Sequence, residues 1–561
     1  MLVKTYAAAV NGLQVNTVTV EASVETGQQL ILTGLGDEAI RESQSRIRLA
    51  LKYSNLRFPS RSITINLSPA NLRKEGSGFD LPMAIAILAG DEKLPITLLN
   101  DYMMMGELGL DGSLKPIIGA LPIAIKAREE GFKGLIVPKE NSHEAAVVNN
   151  LDVYGMSSLS EVIEFLSEND NENDTLRYDT AQAPTIRPAG YDNGDGNKNG
   201  KFRPLVIDTR KVFYEQQYNY DLDFADVKGQ ENVKRALEVA AAGGHNLIMV
   251  GPPGSGKSMM AKRLPSILPP LSLAESLETT KIYSVAGKMA PGQSLISQRP
   301  FRSPHHTITQ TALVGGGTNP SPGEISLAHN GVLFADELPE FNKQTLEVLR
   351  QPLEDRTITI ARAKYTTEYP CSFMFVASAN PCPCGYYGDP THDCICTPGQ
   401  RARYMSKISG PLMDRIDIQC EITPVPFKDI SQVKEGEPSS AIRERVIRAR
   451  KIQEERYANE TEPTPNPSLK EREQGNGKKR IYCNAQMTEK MIHKYAEPDK
   501  EGMEMLRMAM ERFSLSARAY SRILKVARTI ADLAGSERVE SAHIAEAIGY
   551  RALDRGDWAE R

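Results

Sequence analysis

Along the first 165 residues, strand-like and helix-like patterns of apolar and polar positions follow one another, which predicts strands mixed with helices. The stretch SITINLSPA alternates as a half-buried strand does, whereas DLPMAIAILAG is apolar on every side and predicts a buried helix. Between residues 220 and 430, short apolar runs alternate with helical patterns, which is typical of a parallel α/β sheet. Residues 484–558 are helical by pattern, and SARAYSRILKVARTIADLAG is the clearest amphipathic segment.

Two polar stretches interrupt these patterns. Residues 167–204 are rich in Asn, Asp, Gly and Pro and predict a flexible linker, and residues 459–480 predict a disordered insertion. We therefore expect five parts: an N-terminal α+β domain (1–165), a linker (166–205), an α/β core (206–430), a connecting helix with the insertion (431–483) and a C-terminal helical domain (484–561).

Composition narrows the class of protein. A chain of 561 residues is too long for one hydrophobic core. The net charge of −4 shows no overall nucleic-acid footprint, which leaves a local basic lining open. No apolar run approaches about 18 residues, and the N-terminus lacks the apolar stretch of a signal peptide, so we expect a cytoplasmic protein without a membrane span.

The sequence NLIMVGPPGSGKSMMAKRL carries the strongest chemical signal. An apolar strand, Asn246–Val250, enters a G-x-x-x-x-G-K-S loop, and a helix leaves it. Glycines let backbone N–H groups close around phosphates, Lys257 should reach the β- and γ-phosphates, and Ser258 should bind Mg²⁺. The loop predicts ATP binding by Gly251, Pro252, Pro253, Gly254, Ser255, Gly256, Lys257 and Ser258.

Two further apolar strands end in polar side chains. In GVLFADELPEF, Asp336 should hold Mg²⁺ through water, and Glu337 should polarise the attacking water. In SFMFVASAN, the Asn380 amide is placed to orient the water or the γ-phosphate, although an Asn before Pro also forms turns. Ligands bind at the carboxyl ends of parallel strands, so we expect these residues to meet the phosphate-binding loop.

A cysteine cluster follows Asn380 directly. Two C-x-C pairs can supply four thiolates to a tetrahedral structural Zn²⁺ site. Reduced thiols and a redox pair are the alternatives, and Asp389, His392 and Asp393 are rival ligands within the loop. His305 and His306, adjacent on another loop, are a poor pair of metal ligands because both rarely point to one centre. The predicted zinc ligands are Cys382, Cys384, Cys394 and Cys396.

Four long motifs carry a family resemblance: FRSPHHTITQTALVGGG, PSPGEISLAHNGVLFADELPEF, NPCPCGYYGD and ISGPLMDRIDI. They resemble the YifB/ComM proteins, which are magnesium-chelatase-like AAA+ ATPases, and the likeness runs from residue 1 to about residue 555 outside the polar stretches. The resemblance implies a P-loop AAA+ core with a C-terminal helical lid, and a homo-oligomeric ring, expected to be a hexamer, with sites between subunits.

The resemblance also implies a function. In the ComM branch it is helicase-like branch migration of DNA during recombination or transformation, which makes DNA the expected partner. A chelatase-like ATPase that remodels a partner protein is the alternative.

Two arginines take roles from the resemblance. Arg415 in GPLMDRIDI matches the arginine finger that enters a neighbour's site, where such a group speeds hydrolysis about 10³- to 10⁵-fold. A salt bridge from Arg415 to Asp414 or Asp417 is the structural alternative. Arg518 in LSARAYSR matches the sensor 2 arginine of the lid, with Arg522 as the fallback.

The N-terminal domain resembles the proteolytic domain of Lon, through LRKEGSGFDLPMAIAILAG and GELGLDGSLKPIIGALPIAIKAREEGFKGLIVPKEN. A Lon-type peptidase needs a serine nucleophile and a lysine. Gly78 stands in the place of the serine and Pro122 in the place of the lysine; Ser77 and Lys126 are the nearest candidates in a shifted register. We therefore expect a Lon-like α+β fold without peptidase activity.

A hairpin is predicted over Ile358–Pro370, with Arg362 and Lys364 near its tip. In related ring motors a hairpin at this place points into the pore, where repeated cations track the phosphates of DNA. A solvated, charged hairpin tip is the alternative.

Overall fold

The structure is a computed structural model. It describes residues 2–34, 36–176, 202–317, 320–361, 366–389, 392–423, 436–458, 460–463 and 478–551. The chain forms two compact units, Met1–Phe213 with Ser276–Ile296, and Tyr214–Glu275 with Ser297–Arg561. The five-part division expected from the sequence stays a prediction.

The first unit is built on a seven-stranded mixed sheet in the order β3-β4-β2-β1-β5-β8-β9. Its strands are β1 (Leu2–Asn11), β2 (Gln14–Glu25), β3 (Leu30–Thr33), β4 (Ser62–Ser68), β5 (Tyr102–Met104), β6 (Glu107–Leu108), β7 (Leu114–Lys115), β8 (Gly134–Pro138) and β9 (Asp152–Met156), of which β6 and β7 form a separate ribbon. Its helices are α1 (Glu38–Tyr53), α2 (Asp80–Gly90), α3 (Ala120–Glu129), α4 (Lys139–Ala145) and α5 (Leu159–Leu176).

Two predictions for this unit are confirmed. The alternating stretch forms β4, whose buried positions recur at every second residue. The all-apolar stretch forms α2, in which every residue is buried. The helix α5 runs to Leu176, past residue 165, so the first residues of the predicted linker are helical. Of the predicted linker, residues 177–201 lie outside the described residues.

The second unit holds a five-stranded sheet in the order β11-β14-β17-β10-β18. Every pairing in it is parallel, which confirms the predicted sheet type. Its strands are β10 (Leu247–Val250), β11 (Phe301–Arg302), β14 (Val332–Ala335), β17 (Met374–Ala379) and β18 (Ile418–Glu421). All carboxyl ends therefore lie at one edge of the sheet, where ligands bind in folds of this kind.

Short ribbons and helices complete the chain. The ribbons pair β12 (Gly315–Gly316) with β13 (Ser321–Pro322), β15 (Thr357–Ala361) with β16 (Thr366–Pro370), and β19 (Thr461–Pro463) with β20 (Lys478–Arg480). The helices are α6 (Thr209–Gln216), α7 (Glu231–Gly243), α8 (Lys257–Arg263), α9 (Leu273–Val285), α10 (Gln310–Val314), α11 (Glu324–Leu327), α12 (Lys343–Glu347), α13 (Arg350–Asp355), α14 (Pro398–Met405), α15 (Gly410–Met413), α16 (Ser439–Tyr457), α17 (Glu489–Tyr495), α18 (Lys500–Phe513), α19 (Ala517–Ala534) and α20 (Ser541–Gly549).

One continuous hydrophobic core joins the sheet of the second unit to its C-terminal helices. Buried side chains of β10, such as Leu247 and Met249, belong to the same cluster as Ile523 and Ile530 of α19. The amphipathic stretch predicted from the sequence is α19, which places its apolar face in this core. In the part of the chain that the structure describes, no helix has the length and apolar character needed to cross a membrane.

The polar stretch 459–480 differs from its expectation at both ends. Residues 461–463 and 478–480 pair as an antiparallel ribbon. This pairing closes the base of the stretch, and residues 464–477 lie outside the described residues.

Candidate nucleotide site, cysteine cluster and arginine cluster

The phosphate-binding loop lies between β10 and α8, at the carboxyl edge of the sheet. Gly256 adopts a φ of 88°, a left-handed conformation that favours glycine, immediately before α8 begins. The Lys257 ammonium group is buried and donates to the carbonyl oxygens of Gly251 (2.7 Å) and Pro252 (2.8 Å). Burial lowers the pKa of Lys257. The loop thus holds a cation at its centre, as a phosphate site requires.

Asp336 and Ser258 meet at the position expected for Mg²⁺. The Ser258 hydroxyl donates to Oδ2 of Asp336 at 2.7 Å. Hydroxyl and carboxylate oxygens are the hard ligands that Mg²⁺ prefers, and it is usually bound by one or two carboxylates together with substrate phosphates. These two side chains therefore fit a magnesium ion delivered with ATP.

Ser378 is a site residue that the sequence argument missed. Its hydroxyl donates to Oδ1 of Asp336 and accepts the backbone N–H of Glu337 at 3.0 Å. The hydroxyl lies in β17, a strand whose residues are all buried. A buried hydroxyl needs a partner, so a serine within an apolar strand is the signal that could have found it.

Glu337 and Asn380 also lie at this edge. The backbone of Glu337 is left-handed (φ 53°, ψ 50°), a costly conformation for a residue other than glycine and one that recurs at functional sites. The Asn380 amide oxygen accepts a hydrogen bond from Lys257 at 3.3 Å. The structure thus brings together the predicted loop, Asp336, Glu337 and Asn380.

The four clustered cysteines converge at one point. Sγ of Cys382 lies 3.3 Å from that of Cys384 and 3.6 Å from that of Cys394, and all four sulfur atoms lie within 4.8 Å of one another. A tetrahedral zinc site with Zn–S bonds of about 2.3 Å places its sulfurs roughly 3.8 Å apart. None of the seven cysteines, all of which lie in the described residues, forms a disulfide bond. The fourth member of the cluster is Cys396.

The rival ligands Asp389, His392 and Asp393 lie outside the cluster of sulfur atoms. The His392 imidazole lies 3.7 Å from the carboxylate of Asp389, and its ring faces Tyr386 at 4.8 Å. Within the described residues, neither side chain joins the group of four sulfurs, and neither does Asp393. The geometry therefore favours an all-cysteine ligand set.

The cysteine loop packs directly against the nucleotide site. Gly385 has a φ of 89°, and a Cβ placed there would lie 2.8 Å from the Cδ of Pro253 in the phosphate-binding loop. Arg401 of α14 stacks on the Tyr387 ring at 4.0 Å and donates to the Cys396 carbonyl at 3.5 Å. The loop therefore connects Asn380, Pro253 and α14.

The predicted arginines lie at the other end of the sheet. The Asn246 amide, just before β10, donates to the carbonyl of Arg415 at 2.8 Å, and the backbone N–H of Asp417 bonds back to Asn246. The phosphate-binding loop starts at Gly251, and the four residues of β10 span roughly 13 Å. Within one chain, Arg415 thus anchors at the amino edge of the sheet, away from the nucleotide site.

Arg415 is paired with neither of its adjacent aspartates. Its Nη2 lies 2.5 Å from Oε1 of Glu354, and its Nη1 donates to the Pro411 carbonyl at 2.5 Å. The side chain is mostly buried, but that of Glu354 is 60% exposed. Among the residues that the structure describes, its Nε has no hydrogen-bond partner.

The aspartates pair with arginines of the lid helix α19 instead. Arg518 donates to Asp414 at 2.8 Å, and Arg522 pairs with Asp417. Arg518 thus lies at the amino edge and not beside its own chain's phosphate-binding loop, and its sensor role stays a prediction.

Asp417 is the centre of a buried network. His245 Nδ1 lies 3.3 Å from its carboxylate, and His245 Nε2 lies 2.7 Å from Thr529 Oγ1. Burial alone would raise the pKa of Asp417, but the charge of Arg522 and the hydrogen bond with His245 hold it far below its usual range. Burial lowers the pKa of His245. This network fixes the loop that carries Arg415 to α19.

In the first unit, the candidate peptidase serine and lysine contact other residues and not each other. The Ser77 hydroxyl donates to the carboxylate of Glu107, and Lys126 pairs with Glu130 at 2.9 Å. A Lon-type serine needs a lysine amine beside it, and the Ser77 hydroxyl contacts Glu107 and not Lys126. Gly78, in the place of the nucleophile, has no side chain at all.

At the place of the peptidase lysine, the chain begins helix α3 and meets a segment from later in the sequence. Pro122 lies in the first turn of α3 and is buried. Just before it, the backbone N–H of Gly119 donates to the carbonyl of Ser284 at 3.2 Å. Residues 276–296, which the sequence placed in the ATPase core, thus pack against this end of α3.

The hairpin is confirmed, but its tip is not described. Strands β15 and β16 pair in antiparallel register from Thr357↔Pro370 to Ala361↔Thr366. Arg362 and Lys364 lie between them, outside the described residues.

Comparisons with known proteins agree with this architecture. Family models match residues 223–430 (magnesium chelatase, subunit ChlI), 20–141 (subunit ChlI of Mg-chelatase) and 436–551 (magnesium chelatase, subunit ChlI C-terminal). Competence protein ComM of Haemophilus influenzae is 38% identical over 98% of this chain and 97% of its own length. YifB of Escherichia coli is 38% identical over 97% of this chain and 96% of its own length.

The N-terminal region also resembles a protease. The archaeal Lon protease of Thermococcus kodakarensis is 26% identical over 28% of this chain and 25% of its own length. This partial likeness agrees with the Lon-like α+β fold expected from the sequence. The chain belongs to the YifB/ComM family of magnesium-chelatase-like AAA+ ATPases, with a Lon-protease-like N-terminal domain.

Proposed function

We propose that this protein is an ATP-hydrolysing ring motor that acts on DNA. The observation that carries the proposal is the full-length similarity to competence protein ComM, joined to a complete set of P-loop ATPase side chains at one edge of the sheet. The protein has no serine–lysine pair among its candidate peptidase residues, which argues against an ATP-dependent protease.

Each side chain of the site has a distinct role in hydrolysis. Lys257 binds the β- and γ-phosphates, and Ser258 and Asp336 would hold Mg²⁺, which would neutralise charge on the phosphate oxygens. Glu337 polarises the attacking water, and Asn380 orients it against the γ-phosphate. Ser378 fixes both Asp336 and the backbone of Glu337, so it aligns the metal ligand with the base.

A second copy of the chain completes the site. Arg415 anchors at the amino edge of the sheet, so in its own subunit it is separated from the phosphates by the length of β10. In a ring, the amino edge of one subunit faces the nucleotide of the next, and Arg415 exchanges Glu354 for the γ-phosphate. Arg518 acts from the same edge.

DNA contact is assigned to the hairpin β15–β16. Arg362 and Lys364 are the first two cations after β15 in the sequence, and repetition around a ring would multiply their charge along a phosphate backbone. We expect forked or single-stranded DNA to raise ATP turnover several-fold, and we expect Arg362→Ala with Lys364→Ala to remove that increase. ATP turnover with and without DNA measures both.

A matched control lies on the same hairpin. Glu368 is exposed on β16, and Glu368→Ala should keep the response to DNA. If DNA neither binds nor changes turnover of the wild-type protein, the DNA motor is refuted. A response to a partner protein alone would then favour the chelatase-like remodelling ATPase, which the magnesium chelatase family models support.

The cysteine cluster is assigned to a structural zinc ion. Four thiolates at tetrahedral spacing close such a site without leaving a position for water. Burial raises the pKa of the Cys382 and Cys396 thiols, whereas backbone hydrogen bonding and the Cys382 thiol lower the pKa of Cys384 to about 6 against the effect of burial. A bound Zn²⁺ would deprotonate the thiols that coordinate it. A zinc ion held by the four cysteines would fix the loop that packs on Pro253 and follows Asn380.

Metal analysis of the purified protein tests this assignment. We expect one zinc per chain in the wild type and loss of the metal, with weaker ATP binding, in Cys384→Ser and Cys394→Ser. His392→Ala is the control, because His392 lies outside the sulfur group, and it should keep its zinc. A wild-type protein without zinc, or a His392→Ala variant that loses it, would contradict the four-cysteine site.

A further inference from the structure

The loop after β11 brings a histidine to the nucleotide site. β11 pairs in parallel with β14, so the residues that follow it emerge at the carboxyl edge, beside Glu337. Arg302 ends β11 and forms a two-pronged ion pair with Glu324, with bonds of 2.6 and 2.7 Å. The backbone N–H of Ile308 closes the loop onto the carbonyl of His305 at 2.9 Å. The loop is therefore fixed on both sides of His306.

His306 is wedged between Glu337 and an aromatic ring. Its Nδ1 lies 3.9 Å from Oε2 of Glu337, and its ring meets that of Phe341 nearly edge-on, with centroids 6.4 Å apart. The His305 ring lies against it at 4.0 Å, and Nδ1 of His305 lies 2.9 Å from Oγ1 of Thr307. The two histidines thus face different partners, and they form no joint metal site with a third ligand in the described residues.

Glu337 has a fixed backbone and a side chain that is 51% exposed. Ser378 holds its backbone N–H, but that bond does not select a rotamer for the carboxylate. A general base must lie within hydrogen-bond reach of its water, and catalytic hydrogen bonds are often long before substrate binds. Among the described residues, the ring nitrogen of His306 lies within ion-pair range of this carboxylate.

We propose that His306 is a positioning residue for Glu337. Its ring N–H draws the carboxylate into the orientation that meets the attacking water, and Phe341 holds the ring in place. His306 does not touch ATP, so it acts through Glu337 on the rate of hydrolysis and not on nucleotide affinity. The proposal rests on the assignment of Glu337 as the base in the proposed function.

Steady-state kinetics of the full chain tests this role. His306→Ala should lower kcat about 10- to 100-fold, the scale that a misplaced catalytic group costs, with an unchanged KM for ATP. His306→Asn keeps an N–H near the position of Nδ1 and should recover most of the rate. His306→Phe keeps the aromatic contact with Phe341 and lacks the N–H, so it should remain slow.

Neighbouring variants separate the possible outcomes. Gln310→Ala changes an exposed side chain at the start of α10, after the same loop, and should leave kcat close to the wild-type value. A full rate in His306→Phe, or a His306→Asn variant as slow as His306→Ala, would overturn the positioning role. If Glu337 is not the general base, Glu337→Gln will keep hydrolysing ATP. That result would refute the proposed function itself, whatever rates the His306 variants show.

Discussion

Glu337→Gln is expected to stop ATP hydrolysis while leaving ATP bound. The amide has nearly the shape of the carboxylate but cannot accept a proton from water, and general-base catalysis typically contributes about 10²- to 10⁴-fold to a rate. The backbone contact from Ser378 to residue 337 does not depend on the side chain, so the site should keep its shape. Phosphate release measures the rate, and binding of a fluorescent ATP analogue measures affinity.

Lys257→Ala is expected to lose ATP binding as well as hydrolysis, in contrast to Glu337→Gln. Its ammonium group is the buried cation that contacts both the loop carbonyls and Asn380, so its loss should weaken nucleotide binding and abolish turnover together. Undiminished hydrolysis in Lys257→Ala would refute the site. Undiminished hydrolysis in Glu337→Gln with normal binding would assign the base elsewhere.

Arg415→Ala is expected to lower ATP turnover about 10³- to 10⁵-fold with ATP affinity retained. In the single chain, Arg415 pairs with Glu354 at an edge of the sheet that its own nucleotide does not reach. If Arg415 had only a structural role, Arg415→Ala would instead lower the thermal stability of the isolated subunit. Phosphate release, ATP binding and the melting temperature should therefore be measured on the same preparation, together with its oligomeric state.

The sequence predicted best those parts of the site that are local in the chain. The phosphate-binding loop, Asp336 and Asn380 each follow an apolar strand, and a parallel sheet brings such strand ends to one edge. The all-apolar helix α2 and the amphipathic helix α19 were predictable for the same reason, because their patterns are complete within one segment.

The parts that could not be predicted depend on contacts between distant residues. Ser378 meets Asp336 from 42 residues away, and Arg522 meets Asp417 from 105 residues away. The sequence offered Asp414 and Asp417 as partners of Arg415, since both are neighbours in the chain. Two arginines of the lid helix pair with these aspartates, and Arg415 pairs with Glu354. Distance along the chain does not show which arginine pairs with which acidic residue.

The first unit shows the same limit. Residues 276–296 follow the phosphate-binding loop and its helix in sequence, so their position in the chain predicts that they belong to the ATPase core. In the structure they belong to the first unit, with Ser284 bonded to Gly119. Nothing in their composition marks that partner, because the bond uses the backbone on both sides.

The most direct test of the shared ATP site is a mixture of two inactive variants. Lys257→Ala subunits lack a working loop but keep Arg415, and Arg415→Ala subunits keep the loop but lack the arginine. If two copies build one site, mixing the two variants creates interfaces with both groups intact, and part of the wild-type ATP turnover returns. A mixture that assembles and stays as inactive as either variant alone would show that Arg415 does not complete the site of a neighbouring subunit.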